Sequence, residues 1–307
     1  MTNHQPEPHS DAWSDWLLHV RHGGDAEYRS TMRARLNQYA DRVLHGARLA
    51  AGMTLADIGA GEGLIGFRAI DRIGPSLRVI FTDISAPMLR HAEALAAERG
   101  TGPQCAFHHC SAERLEAIET DSVDVVATRA VLAYVADKPA ALREFRRILK
   151  PGGRISLAEP IFRDEALVIG TMKAIVDGRS PDDEERLLPL MHRWRAAQLP
   201  DTMEKISANP ITNYTERDLV RFAQACGFTE IHMEFHIDIL PFAITSWETF
   251  LESSPHPWAR PLKVILEEQF TAEERQLLEP ALRRVIMAPN SVTIERIAYL
   301  TATKPKR

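Results

Sequence analysis

The sequence has little of what several classes of function require. Three cysteines, Cys105, Cys110 and Cys226, are too few and too scattered for a disulfide framework or a paired zinc site, and no metal is expected. They read as small, buried apolar side chains. No uninterrupted apolar stretch approaches the ~20 residues needed to span a membrane. Excess positive charge is also missing: 37 Lys plus Arg stand against 42 Asp plus Glu, so no overall field attracts a polyanion. Neither a membrane nor a nucleic acid is therefore an expected partner. The opening MTNHQPEPHSDAW lacks the basic start and apolar run of a secretory signal. A cytoplasmic location is expected, with the first residues disordered.

What is present is an ordinary globular composition, 45% hydrophobic and 26% charged over 307 residues, enough for one sizeable core. Trp13, Trp16, Leu17 and Val20 recur at helical spacing, and a second helical run extends from Tyr28 through Leu49. Between them RHGGD predicts a turn. From Thr54 the period changes. Short apolar runs alternate with helical segments, the pattern of a parallel sheet covered on both faces. Strands are expected at Thr54–Ile58, Leu77–Asp83, Gln104–His109, Val123–Thr128, Arg154–Glu159, Thr229–Ile239 and Ile294–Thr303. Helix starts carry caps: Ser85 before Pro87, Asp137 before Pro139, Thr215 with Asp218, and Thr271 with Glu274. Gly227 is placed to end a helix. Two long helical stretches, 161–214 and 241–289, exceed this alternation and read as a lid or substrate wall. The expected organisation is a helical segment over 1–50, a core over 51–160, an insertion over 161–214, and completion of the core over 215–307.

LADIGAGEGLIGF, Leu55 to Phe67, runs from a strand into a glycine-rich loop. Gly61, Gly63 and Gly66 satisfy GxGxxG, the dinucleotide pattern, with Asp83 at the distance of a ribose-binding acid. Read from Asp57 as DxGxGxG, the same loop suits S-adenosylmethionine, whose methionine end lies across the glycines. Asp83 serves either cofactor, because a carboxylate accepts both protons of a ribose diol.

The stretch Asp121 to Pro160, with its Asp-capped helix and LKPGG turn into a strand, closely resembles the class I S-adenosylmethionine-dependent methyltransferases, Rossmann-like enzymes of small-molecule type. The resemblance covers Ala51 to Glu159 well and the final strands more loosely. It implies an α/β, doubly wound, mostly parallel seven-stranded sheet with an antiparallel last strand. It also implies roles. Asp57, Gly59, Ala60 and Gly61 match the loop under the methionine moiety, Asp83 the ribose acid, and Ile84 with Met88 the cover of the adenine. Ser111, Ala112 and Glu113 match the segment after the third strand, where many relatives have an aspartate in place of Ser111. Arg129 matches a position lining the methionine end and is read either as facing the cofactor carboxylate or as part of an ion pair. Asp57 has a plainer role open to it, as a tether of the loop.

Methyl transfer from a sulfonium needs in-line positioning and exclusion of water more than a dedicated catalytic group. A hydroxyl acceptor benefits from a general base. Candidates are His22, Tyr134, His192, Tyr214 and His236, of which Tyr134 and His192 rank first. In LLPLMHRWRAAQLP the apolar face carrying Trp194 packs on the body or roofs an acceptor. The expected activity is methylation of a small organic molecule at oxygen or nitrogen, in a chain capable of dimerising. The alternatives are a cofactor-binding regulatory subunit, or a C-methyltransferase of an aromatic or quinone-like substrate.

Overall fold

The computed structural model describes residues 11–180 and 185–306. The expected disorder of the opening residues therefore lies mostly outside the described residues. Seven strands form one sheet: β1 (Thr54–Ile58), β2 (Arg78–Asp83), β3 (Cys105–His109), β4 (Val123–Arg129), β5 (Leu149–Pro160), β6 (Thr229–Pro241) and β7 (Val292–Thr303). Their order is β3-β2-β1-β4-β5-β7-β6. β1 through β5 pair in parallel, and β7 lies antiparallel between β5 and β6. The strand order reverses between β1 and β4, the place where open α/β sheets bind ligands beyond their carboxyl ends.

Apolar clusters cover both faces. One packs Phe145, Leu142, Tyr214 and Leu219 on the sheet, and the other packs Leu44, Phe67, Ile70 and Phe81. The caps read from the sequence form: Ser85, Asp137, Thr215 and Thr271 each accept a backbone N–H of the helix they precede. Gly227 takes φ +80° after the helix Glu216–Ala225.

Three features differ from expectation. β5 starts at Leu149, because the LKPGG turn is itself drawn into the ladder, Leu149 facing Val123 across a bulge. β7 begins at Val292, and its first residues pair with β6 alone, from Pro241↔Val292 to Ile237↔Arg296. This two-stranded arm overhangs the strand ends. The N-terminal helix Ala12–Asp15 continues as a π-helical turn, Trp16–Val20, with Arg21 N–H donating to Trp16 O at 2.8 Å. Such turns are rare and concentrate at functional sites. Gly23 and Gly24 then turn the chain, with positive φ, into the long helix Ala26–Ala47.

Of the helical insertions, Leu187–Ala196 buries Leu190 and Trp194 against Trp247, Leu262, Leu266 and Phe270. The insertions thus build a satellite core with each other. Burial there answers Trp194: it packs and does not roof a cavity, because its face of the helix meets the second insertion.

Candidate active site

β1 delivers Asp57 to the strand ends, where its carboxylate accepts the Gly66 N–H at 2.8 Å. That bond ties the glycine loop to the start of the helix Leu64–Ile73, the tether role left open above. Burial pushes Asp57 up to about 7, countered in part by the Gly66 N–H, with Asp83 adding repulsion. Gly59 and Gly61 take φ of +63° and +53°, which a side chain would resist. A Cβ on Gly59 would also sit 2.5 Å from Val131. Gly61 turns its N–H toward β2, where Asp83 Oδ2 accepts it at 2.7 Å. Asp83 Oδ1 accepts the Ser85 N–H at 2.8 Å. Each Asp83 oxygen thus holds one backbone donor and keeps a lone pair for a diol. Desolvation raises the Asp83 pKa, and these N–H groups oppose it.

After β4, Ala130 adopts φ +54° and the chain turns across the cavity mouth. Glu159, fully buried near the end of β5, holds this turn: it accepts from Thr128 Oγ1 at 2.9 Å, Val131 N–H at 3.0 Å and Ala133 N–H at 3.1 Å. Its sequence signal is a lone acid at the end of the mostly apolar strand segment ISLAEP.

These pieces border one cavity of about 480 Å³, within the usual span for a ligand site. Asp57, Gly59, Ala60, Gly61, Asp83, Ile84, Ser111, Ala112, Glu113, Arg129 and Tyr134 all line it. The opposite wall comes from the N-terminal segment, through Trp13, Trp16, Leu17 and Arg21, and from the β6–β7 arm, through Ile294 and Ile297. Leu17 closes on the loop, 3.6 Å from where a Gly61 Cβ would stand. The segment is pinned at several points: Ser85 Oγ donates to Asp11 at 3.0 Å, Trp16 Nε1 to Ser254 O at 3.0 Å, and Thr249 Oγ1 to Asp25 at 2.7 Å. In the sequence, these aromatic residues showed only a helical repeat.

Two expected site residues fall elsewhere. Met88 is fully buried and off the cavity, because Ser85 caps the helix Ala86–Glu98 and its first turn faces Met88 inward. Ile84, one residue before the cap and 56% exposed, is the apolar side chain at the mouth. Met88→Ala is therefore expected to cost about 2–5 kcal/mol of stability, read by urea unfolding, and to leave affinity for S-adenosylhomocysteine within about twofold. His192 turns away from the cavity as its helix packs on the second insertion, and its Nε2 lies 3.2 Å from Asp201, which also takes Lys205 Nζ at 2.8 Å. It is not placed to act as a base.

The other base candidates fare similarly. His22 is buried beside Tyr28, held near 4 by desolvation and by Arg21, Arg29 and Arg33. Tyr214 donates its hydroxyl to Pro160 O, and His236 pairs with Glu234 at 3.2 Å. Tyr134 does face the cavity, edge-on to Trp13 at 4.9 Å and Trp258 at 5.4 Å. Burial pushes its phenol up to about 12, so it suits a donor or an apolar wall and not a base at neutral pH.

Residues 49–207, just over half of the chain, match the family described as a methyltransferase domain. The chain belongs to the class I S-adenosylmethionine-dependent methyltransferases. It is 36% identical over 135 residues to nocamycin O-methyltransferase of Saccharothrix syringae, covering 43% of this chain and 48% of that one. It is likewise 36% identical over 109 residues to a ubiquinone/menaquinone biosynthesis C-methyltransferase of Hahella chejuensis, covering 36% and 43%. A tRNA 5-carboxymethoxyuridine methyltransferase of Escherichia coli matches at 32% over 105 residues, covering 34% and 39%. The matches thus span less than half the length of each of these relatives. The YcgJ protein of Bacillus subtilis shares the fold at a TM-score of 0.56 and 16% identity, over 88% of this methyltransferase-family chain and 99% of that one.

Proposed function

We propose that this protein binds S-adenosylmethionine with the adenosine at Asp83 and the methionine end across the loop of Gly59 and Gly61, and methylates oxygen or nitrogen of a small organic molecule. One observation carries the reading: a single cavity joins that loop and carboxylate to an apolar, aromatic compartment closed by the N-terminal segment. The residues fit the cofactor. Asp83 retains acceptor capacity for a ribose diol, Ile84 offers an apolar edge, and Ser111 offers a neutral hydroxyl where many relatives have an acid. Ala60 and Ala112 let the ligand approach the main chain, while Glu113, anchored by the Asp137 N–H at 2.9 Å, fixes the segment after β3.

When bound, the cofactor supplies an electrophilic methyl on a sulfonium. The chain orients the acceptor against it and keeps water out, an effect worth about 7–11 kcal/mol in well-aligned systems. No base among the sequence candidates both faces the cavity and holds a suitable pKa, so positioning does most of the work. A small acceptor is favoured over RNA because the cavity is enclosed by Trp13, Trp16, Leu17 and the β6–β7 arm and the whole chain carries a net charge of −5.

Calorimetric titration with S-adenosylmethionine and S-adenosylhomocysteine tests the cofactor assignment; no heat from either at millimolar concentration removes it. Methyl release from labelled cofactor in a metabolite extract tests turnover, and cofactor binding without release would indicate a regulatory subunit.

A pH dependence follows from Asp57. Its folded pKa, about 7, lies above the ordinary 3.8. Between those values the unfolded chain loses its proton first, so this group's contribution to stability falls as pH rises from about 4 to about 7 and is flat above. A bound cation favours the ionised form. Affinity for S-adenosylmethionine is therefore expected to rise with pH through about 7, with proton release on binding. Titrations in two buffers of different ionisation enthalpy measure that release, and Asp57→Asn should abolish it.

A further inference from the structure

The cavity wall holds two guanidinium groups that the cofactor alone does not account for. Arg21 and Arg129 are partly buried, each with surface on the cavity. Neither makes an ion pair or a side-chain hydrogen bond among the described residues; around each, other charges act only through space. Desolvation lowers both pKa values, Arg21 to about 10, and Arg129 adds repulsion at Arg21. Partly desolvated cations without a bonded anion carry a cost that an anionic ligand in the cavity would offset.

The acidic residues of the same wall are engaged, apart from one oxygen of Glu295. Glu62 binds Arg33 at 3.0 Å, and Glu295 binds Arg35 at 3.3 Å through Oε1, while its Oε2 is buried without a hydrogen-bond partner and does not bond Arg21. Glu165 lies 3.6 Å from Arg195 and 3.9 Å from Arg296. Asp57, Asp83 and Glu113 hold backbone N–H groups. Arg296 also lines the wall but lies 3.5 Å from Asp164 and 3.9 Å from Glu165, so two cations without a bonded acid among the described residues face a space into which the cofactor brings one carboxylate.

Their surroundings separate them. Arg129 ends β4 beside β1 and feels the charge of Asp57, which places it toward the glycine loop. Arg21 does not; it shares Arg129's neighbours Tyr134 and Glu62 and is repelled by Arg129, but it alone faces Tyr28 of the N-terminal segment and is felt by Glu295 of the β6–β7 arm. The π-helical turn sets its guanidinium over the Trp16 ring, 5.1 Å from the centroid. Stacking on an aromatic face leaves the in-plane donors of a guanidinium free. A single such edge matches the two oxygens of a carboxylate, and one guanidinium balances its single charge, whereas a phosphate dianion would leave one negative charge uncompensated.

We propose that Arg21 receives a carboxylate on the methyl acceptor, whose apolar or aromatic body lies between the N-terminal tryptophans and the β6–β7 arm, while Arg129 faces the carboxylate of the cofactor. The inference rests on the cofactor reading above. It makes the acceptor an organic acid and Arg21 its specificity-determining residue.

The probe is trans-cinnamate against cinnamamide, equal in shape and different in charge, titrated into protein saturated with S-adenosylhomocysteine. The acid is expected to bind about tenfold tighter than the amide. Arg21→Gln should erase that ratio while holding affinity for S-adenosylhomocysteine within about twofold, and Arg21→Lys should restore part of it. Arg129→Gln should instead weaken S-adenosylhomocysteine. Equal binding of acid and amide, no binding of the acid, or a loss of S-adenosylhomocysteine affinity in Arg21→Gln overturns the proposal. Should Arg21→Gln fail the circular-dichroism check of its fold, the wild-type ratio and Arg21→Lys decide by the same criteria. Failure of wild-type protein to bind S-adenosylhomocysteine removes the cofactor reading; binding without acid preference removes this inference alone.

Discussion

Asp83→Ala is expected to weaken S-adenosylhomocysteine binding by roughly a hundredfold or more while the protein still folds. The diol of the cofactor would lose two charge-assisted hydrogen bonds, each worth about 1.5–3 kcal/mol, and tenfold in affinity is about 1.4 kcal/mol. The side chain also supports the loop, since it accepts the N–H groups of Gly61 and Ser85. Some stability is lost with it, so circular dichroism must accompany the titration. Asp83→Asn separates the effects: its carbonyl keeps one of the two backbone donors, and its amide nitrogen meets the other with a donor of its own. Affinity in Asp83→Ala equal to that of the wild type would remove the ribose assignment.

Glu159→Ala should lower unfolding free energy by about 3–5 kcal/mol, read from urea midpoints without ligand. The carboxylate is enclosed and holds the Thr128 hydroxyl together with the Val131 and Ala133 N–H groups. Removing it leaves these buried donors unpaired, at about 1–3 kcal/mol each before relaxation. Because the same turn carries Arg129, Ala130 and Tyr134 along the cavity, cofactor affinity should fall with stability. Glu159→Gln keeps one acceptor oxygen and is expected to lose less. A Glu159→Ala variant as stable as the parent would show that the turn holds without its carboxylate.

Local signals made the strands and caps readable from the chain. Apolar runs of strand length, Ser, Asp and Thr placed before helices, and glycines required at positive φ act over a few residues, and the structure keeps them at Thr54–Ile58, Ser85, Thr215 and Gly61. The loop's relation to Asp83 was also legible, because adjacent parallel strands end side by side. Met88 and His192 were misplaced for one reason. Helical spacing tells which residues share a face, but not which of two possible neighbours that face will meet.

By itself, then, the sequence determined the α/β alternation, the glycine loop and its paired acids, since each depends on backbone geometry within a short stretch. Only the tertiary structure decided what closes the cavity. Trp13, Trp16 and Arg21 reach it because the N-terminal segment is anchored on Ser85, Thr249 and Ser254, residues far away in the chain. The β6–β7 arm reaches it because β7 outruns its pairing with β5. Contacts of that range depend on how packed faces and buried polar groups find partners across the whole fold, which no local pattern encodes.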